Sequence, residues 1–257
     1  MKKLIASKLI AAFMLLLCFK AEAVETTFLN NTFKINLPEN YCTLNQDTNY
    51  YKFTKAAFGN SVKFGFIAAP CMDTKALEEG IISRLSHYIA FTQIGIDGNY
   101  GYFKLGRFVY VNLAKAFKSA PLDRVENSVN RRIAPFGATV SNLGYKLQSA
   151  SDSYALFLAT VNLNGFGADK KANLLGITTL VYEIPVGLYV FDEDPNEAKT
   201  KEAIKQLSIA ASSFQESQKV NKTIKLTSKF ETIKIKKSSA KWHWTKGKIN
   251  LKNPKQY

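Results

Sequence analysis

The sequence predicts an α+β domain, strands packed against helices, and three observations carry that reading. Leu174 to Tyr182 is an apolar, β-branched run. After a break at Glu183 to Pro185, Val186 to Phe191 repeats the pattern as a second strand. Then the period changes. Ile204, Leu207, Ala211 and Phe214 recur at steps of three and four, which places them on one face of a helix. Asp192-Glu193-Asp194-Pro195 puts carboxylates and a proline where that helix is expected to start. A strand pair followed by a helix lying across it is half of a two-layer domain.

The earlier chain supplies further elements. Thr26 to Phe28 and Thr32 to Leu37 flank Asn30-Asn31, a hairpin signal. Phe33, Ile35 and Leu37 alternate with polar residues, so that strand buries one face, and Pro38 ends it. Residues 45 to 58 read as a short helix carrying Tyr51, Phe53 and Phe58. Ser61 to Ala69 reads as a strand with Val62, Phe64 and Phe66 on one face, ended by Pro70. Asp73 is expected to cap a helix running through Leu77, Ile81 and Leu85. Tyr88 to Ile94 is extended, Asp97-Gly98-Asn99 is a turn, and Tyr102 to Leu113 is mixed. Ser119-Ala120-Pro121 opens a helix with Leu122, Val125, Val129 and Ile133 as its stripe, stopped by Pro135 and Gly137. Leu143 to Ser149 and Tyr154 to Leu163 are strands, the second with the run of a central one. Asn164-Gly165-Phe166-Gly167 is a turn.

Charge divides the chain of 257 residues. Its formal net charge is +15, yet residues 219 to 257 hold twelve lysines against one acid, Glu231. Basicity is therefore a property of the tail, which is expected to be disordered in isolation because it cannot bury enough apolar surface to offset its ordering entropy. Ile224, Leu226, Ile233 and Ile235 alternate well enough for part of it to pair as strand when bound. At the other end, Lys2, Lys3 and Lys8, the uncharged run Leu9 to Phe19 and the small-x-small Ala21-Glu22-Ala23 have the form of a secretory signal. The mature chain is then expected to begin at Val24; the alternative is an uncleaved anchor. Leu17 before Cys18 argues against lipidation. The expected division is a signal over 1–23, one domain over 24–217 and a flexible basic tail over 218–257. Localisation is read as periplasmic or secreted.

Removing the signal leaves Cys42 and Cys71, and two cysteines in an exported chain favour one disulfide. Each lies just past the end of a predicted strand. If the intervening segment crosses over as a helix, the two strands run parallel and both thiols meet at one edge.

The order from Thr26 to Phe214 resembles PsbP-like and DcrB-like sandwich domains. The residues that carry this are Phe33-Lys34-Ile35-Asn36-Leu37-Pro38 in the opening hairpin and the closing strand pair plus helix that ends Ala211-Ser212-Ser213-Phe214. The chain is also similar to exported proteins of Gram-negative bacteria with one cysteine after each of the first two sheet strands. The resemblance implies a mostly antiparallel sheet packed against helices that binds something without catalysing a reaction. It carries over no catalytic residues, and the lysine-rich tail departs from it.

No catalytic motif stands out. There is no Gly-x-Ser-x-Gly, His-Glu-x-x-His or phosphate-binding glycine loop. His87 and His243 are the only histidines, so no His-rich metal site is expected, and His87, read at a helix end, is expected to cap or face solvent. Asp192, Glu193 and Asp194 have carboxylates enough for Ca²⁺, but a helix N-terminus explains them better. Arg124, Arg131 and Arg132 read as a solvated helix face before an anion site. In the tail, Lys241, Trp242, Trp244, Lys246 and Lys248 interleave cations with aromatics, which suits an anionic lipid or envelope polyanion. No metal, cofactor or nucleic-acid partner is expected. The function expected is a non-catalytic binding module of the cell envelope, taking an unknown protein or small ligand through the domain. The alternative is a small periplasmic hydrolase.

Overall fold

The computed structural model describes residues 23–95, 99–116, 122–150, 153–207, 243–245 and 248–250. The first two strands, β1 (Ala23–Phe28) and β2 (Asn31–Asn36), pair antiparallel. Leu29 and Asn30 between them both have positive φ, 49° and 66°, the signature of a type I′ turn. The turn therefore sits one residue earlier than Asn30-Asn31. Phe33 and Ile35 face inward as the alternation requires.

Seven further strands form one antiparallel sheet. They are β3 (Tyr41–Thr43), β4 (Val62–Pro70), β5 (His87–Ile94), β6 (Thr139–Ala150), β7 (Ala155–Gly165), β8 (Ala168–Val181) and β9 (Ile184–Glu193). Their order is β3-β4-β5-β9-β8-β7-β6. The best-specified part of the sequence thus supplies its middle, and β9 is the central strand. The Tyr154 to Leu163 run lies instead in β7, next to the edge. Hairpin closure explains the order: Phe166-Gly167 joins β7 to β8 and Tyr182-Glu183 joins β8 to β9, all four with positive φ. The second turn is earlier than the predicted break, so Pro185 falls inside β9. It is tolerated there because β5 pairs with β9 only as far as Val186, which leaves no ladder bond for Pro185 to lose on that side.

Helices cover both faces. Over one lie α1 (Asn49–Phe58) and α4 (Leu122–Ile133), whose Tyr50, Phe53 and Ile133 meet Ile67, Tyr88 and Phe191 of the sheet. Thr48 starts α1, its hydroxyl accepting from the Tyr51 N–H at 3.2 Å. Between them in sequence, α3 (Arg107–Ala116) shares that face, with the Tyr110 hydroxyl 2.6 Å from that of Thr178. The mixed reading of Tyr102 to Leu113 missed this helix. Over the other face lie the β1–β2 hairpin and residues 197–207, which are helical and form α5. There Phe28, Phe33, Ile35 and Leu207 pack on Phe66, Phe91 and Leu188.

Four further expectations are corrected. The strand predicted to end before Cys42, β2, pairs with β1 in a separate sheet rather than running parallel to β4, and Cys42 lies inside β3, antiparallel to β4 and opposite Ala69. Phe64 and Phe66 lie on opposite faces, since the register shifts between them and an extra residue, Gly65, flips the alternation. The helix predicted through Leu77, Ile81 and Leu85 is only α2 (Cys71–Glu78); Asp73 sits in its first turn without a capping bond, Ile81 is 71% exposed, and Leu85 is buried from a loop. Along α5 the inward face is Ala203, Gln206 and Leu207, while Ile204 is exposed; Ala211 and Phe214 lie outside the described residues.

In the tail, β10 (His243–Thr245) and β11 (Lys248–Asn250) pair antiparallel, Trp244 opposite Ile249 and Thr245 opposite Lys248. Lys241, Trp242 and Lys246 lie outside the described residues, as do Ile224 to Ile235. No helix of the described residues is long and apolar enough to cross a membrane.

Candidate binding face

Strand alternation builds a polar surface on the hairpin side of the sheet, at its β6–β8 end. In β8, Ala172 and Leu174 turn toward the α1–α4 core, so Asp169, Lys171 and Asn173 turn the other way. Register then aligns three cross-strand rows. Asp169 lies opposite Asn164, which lies opposite Thr139; Lys171, Asn162 and Ser141 make the second row; Asn173, Thr160 and Gly144 make the third. Rows on one face are about 7 Å apart and strands about 4.8 Å apart. The result is a lattice of hydroxyl, amide, carboxylate and ammonium groups. Thr139, Ser141, Asn162, Asn164, Asp169 and Lys171 line an open depression of about 450 Å³.

The third row continues into a buried polar line. Asn173 is opposite Asp192, and Asp192 is opposite His87. His87 Nδ1 lies 2.5 Å from Asp192 Oδ1. The Tyr41 ring meets the His87 ring edge-on at 5.9 Å, and the Gln206 side chain hydrogen-bonds Tyr41. Burial pushes the Tyr41 hydroxyl up to about 12, with the Gln206 bond opposing and the Asp192 charge adding to the shift. His87 Nε2, Asn173 Oδ1 and Gln206 Oε1 are buried and find no hydrogen-bond partner among the described residues.

Asp192 and Glu193 are therefore strand residues, not a helix start. Asn196 caps α5 instead, its side-chain oxygen accepting from the Lys199 N–H at 2.9 Å. Glu193 turns to the α1–α4 side, where Arg84 Nε lies 3.2 Å from its Oε1, an ion pair without hydrogen-bond geometry. Asp194 pairs with Lys170 at 2.5 Å, which holds its carboxyl below the usual range. The three carboxylates thus diverge to three separate partners, His87, Arg84 and Lys170, and no group of three metal-ligating side chains occurs among the described residues. A signal for this was present: the alternation Val186, Leu188, Val190 continues one step to Asp192. His87 is the first residue of β5 rather than a helix end, and nothing in its sequence neighbours points to Asp192, 105 residues away.

Glu193 carries a pH dependence. Burial raises its pKa, and Arg84 only partly opposes that. A carboxyl raised in the folded state favours the protonated form there, so its stabilising contribution is full below the ordinary carboxylate range and is lost as pH rises through the raised value. Urea midpoints measured upward from about pH 4.5 should fall more steeply in the native chain than in Glu193→Gln. Parallel curves for the two proteins would contradict this.

Arg132 does not join an anion site. Its guanidinium donates to the carbonyls of Ala56 and Ala57, both at 2.8 Å, and to the Ser128 hydroxyl at 2.6 Å. It closes the C-terminus of α1, where cations are favoured. Gly59 must be glycine for this: its φ is +64°, and a Cβ there would sit 2.8 Å from Arg132 Nε. Arg124 and Arg131 remain solvated, as read from the sequence.

Cys42 and Cys71 are disulfide-bonded, with Cα atoms 4.7 Å apart. The His87–Asp192 pair has the base-and-orienter geometry of a catalytic dyad, but its outer nitrogen is buried and meets no nucleophile among the described residues. What the open lattice offers is hydrogen bonding to a polar ligand. No family model matches the chain, and no curated protein matches it.

Proposed function

We propose that this protein is an exported, non-catalytic binding module of the cell envelope, and that its ligand face is the polar lattice on β6, β7 and β8. The observation that carries this is the open depression lined by Asn162, Asn164, Asp169 and Lys171. Hydroxyl and amide groups at strand spacing suit a hydroxyl-rich ligand such as an envelope glycan, which needs many modest hydrogen bonds. The signal-like residues 1–23 and the Cys42–Cys71 bond support export to an oxidising compartment, the periplasm or beyond. The resemblance to PsbP-like and DcrB-like domains supports a binder over a hydrolase. The lysine-rich tail acts as a second contact, with Lys241, Trp242, Trp244, Lys246 and Lys248 drawing the domain to anionic lipid or glycan.

One two-probe experiment tests both contacts. The mature chain and a chain ending at Gln218 are titrated with a lipopolysaccharide core oligosaccharide and with anionic phospholipid vesicles across a salt series. The oligosaccharide should shift amide resonances of β6–β8 in both chains, and Asn162→Ala should weaken it about tenfold. Vesicles should bind the longer chain alone, less so at high salt. Shifts that avoid β6–β8, or cleavage of the oligosaccharide, would defeat the ligand face. Equal vesicle binding by the two chains would defeat the tether.

A further inference from the structure

An open antiparallel sheet has two edges, and exposed edges invite another strand unless they are guarded. One edge here, β3, is three residues long and tied to α2 by the disulfide. The other, β6, is twelve residues long. Its first half is guarded by α4. The Asn130 side chain donates to the Val140 carbonyl at 2.9 Å and accepts from the Val140 N–H at 2.6 Å, as a neighbouring strand would. Glu126 accepts from the Leu143 N–H at 3.0 Å. Among the described residues no side-chain hydrogen bond guards the β6 backbone beyond Leu143.

We propose that the regular stretch of β6 beyond that guard, Gly144 to Leu147, is a strand-addition site for an extended peptide carrying an acidic residue between two apolar ones. Val140 lies opposite Leu163 with its backbone groups turned outward, and β7 runs without a register shift against β8. The same alternation turns outward the backbone groups of Tyr145 and Leu147, opposite Ala159 and Phe157. Among the described residues no group takes them up. Side chains set the partner's chemistry. Tyr145 stacks on Phe157 with centroids 5.2 Å apart and remains 39% exposed, so an apolar residue on an added strand would land beside it. Lys146, exposed on the opposite face, would stand directly across from the residue between. A carboxylate there is favoured and a lysine is not. That charge argues against a second copy, which would set Lys146 against Lys146 about a twofold axis. It argues equally against the chain's own tail, with its twelve lysines and one acid. The site lies along the sheet's rim and shares only Gly144 with the polar lattice, which lies on the sheet's face.

The test uses the mature chain with the peptide Thr-Val-Glu-Val-Thr and its lysine counterpart Thr-Val-Lys-Val-Thr. Saturating acidic peptide should slow amide exchange at Tyr145 and Leu147 about tenfold and leave β3 unchanged. Lys146→Glu, a change at an exposed position, should transfer the effect to the lysine peptide. Protection by neither peptide, or by both alike, would overturn the proposal. So would protection that rises with protein concentration alone, the mark of a second copy, or that is lost without peptide in the chain ending at Gln218, the mark of the tail.

Discussion

Phe91→Ala should lower the unfolding free energy by about 3–5 kcal/mol. Phe91 is fully buried on β5. Its ring lies 5.5 Å from Phe28, 5.5 Å from Phe33 and 5.9 Å from Phe66. Phe28 and Phe33 belong to the β1–β2 hairpin, which forms its own two-stranded sheet. Among the described residues no backbone hydrogen bond ties that hairpin to the main sheet, so side chains hold it. An isolated two-stranded hairpin is marginal in water. Removing Phe91 leaves a cavity at the contact that docks it, so the loss should be felt twice: as reduced global stability in urea and as faster amide exchange in β1 and β2. Phe91→Leu, which refills most of the volume, should cost clearly less. Ile204→Ala, at an exposed position on α5, should stay within about 0.5 kcal/mol. A Phe91→Ala loss under about 1 kcal/mol, or unchanged exchange in the hairpin, would show that the aromatic cluster does not anchor it.

The strands of this fold were legible because one-sided burial imposes a period of two. Phe33 and Ile35 show it, and so do Val186, Leu188 and Val190. The α+β class follows, and the sheet is antiparallel as expected. What sequence hid was whatever breaks the period. Gly65 inserts one residue and sends Phe64 and Phe66 to opposite faces. Gly176 and Gly187 sit inside strands for a reason visible only in three dimensions. The Tyr189 ring lies over both, 2.5 Å from where a Cβ would stand at each. Glycine in a strand otherwise reads as weakness.

The candidate sites were less legible than the fold. The polar lattice was in plain view as Asn162, Asn164, Asp169 and Lys171, but polar residues near a turn carry no direction until register is known. Asp192-Glu193-Asp194 followed by Pro195 matched a helix start so well that the local rule won. Tertiary pairing overrides it: successive residues of a strand face opposite ways, so the carboxylates separate to His87, Arg84 and Lys170. Arg132 was misread for the same reason, its partners at Ala56 and Ala57 lying some 75 residues back along the chain.

Removing the disulfide, with Cys42→Ser and Cys71→Ser together or by reduction, should cost about 3–4 kcal/mol. The bond spans 29 residues and encloses α1 between β3 and β4. In the chain-entropy account a cross-link of that span narrows the unfolded ensemble, and the native state receives the difference. The folded site asks little of the backbone in return. Cys42 pairs opposite Ala69, Cys71 follows one residue after β4 ends, and the Cys71 N–H already donates to the Asn40 carbonyl at 2.8 Å. Those contacts hold the two Cα atoms at bonding distance by themselves, so the double-serine variant should fold and its stability be measurable. The loss should not be purely global. β3 is a three-residue edge strand, and without its covalent tie it should fray first. Tyr41 on β3 contacts His87, so the fraying should reach the buried line that runs from Tyr41 through Asp192 to Asn173. Urea unfolding gives the global term, and amide exchange at Tyr41 and Cys42→Ser gives the local one. A global loss under about 1 kcal/mol would mean that the unfolded chain keeps this loop closed without the bond. Unchanged exchange at Tyr41 would mean that β4 alone holds the edge strand in register.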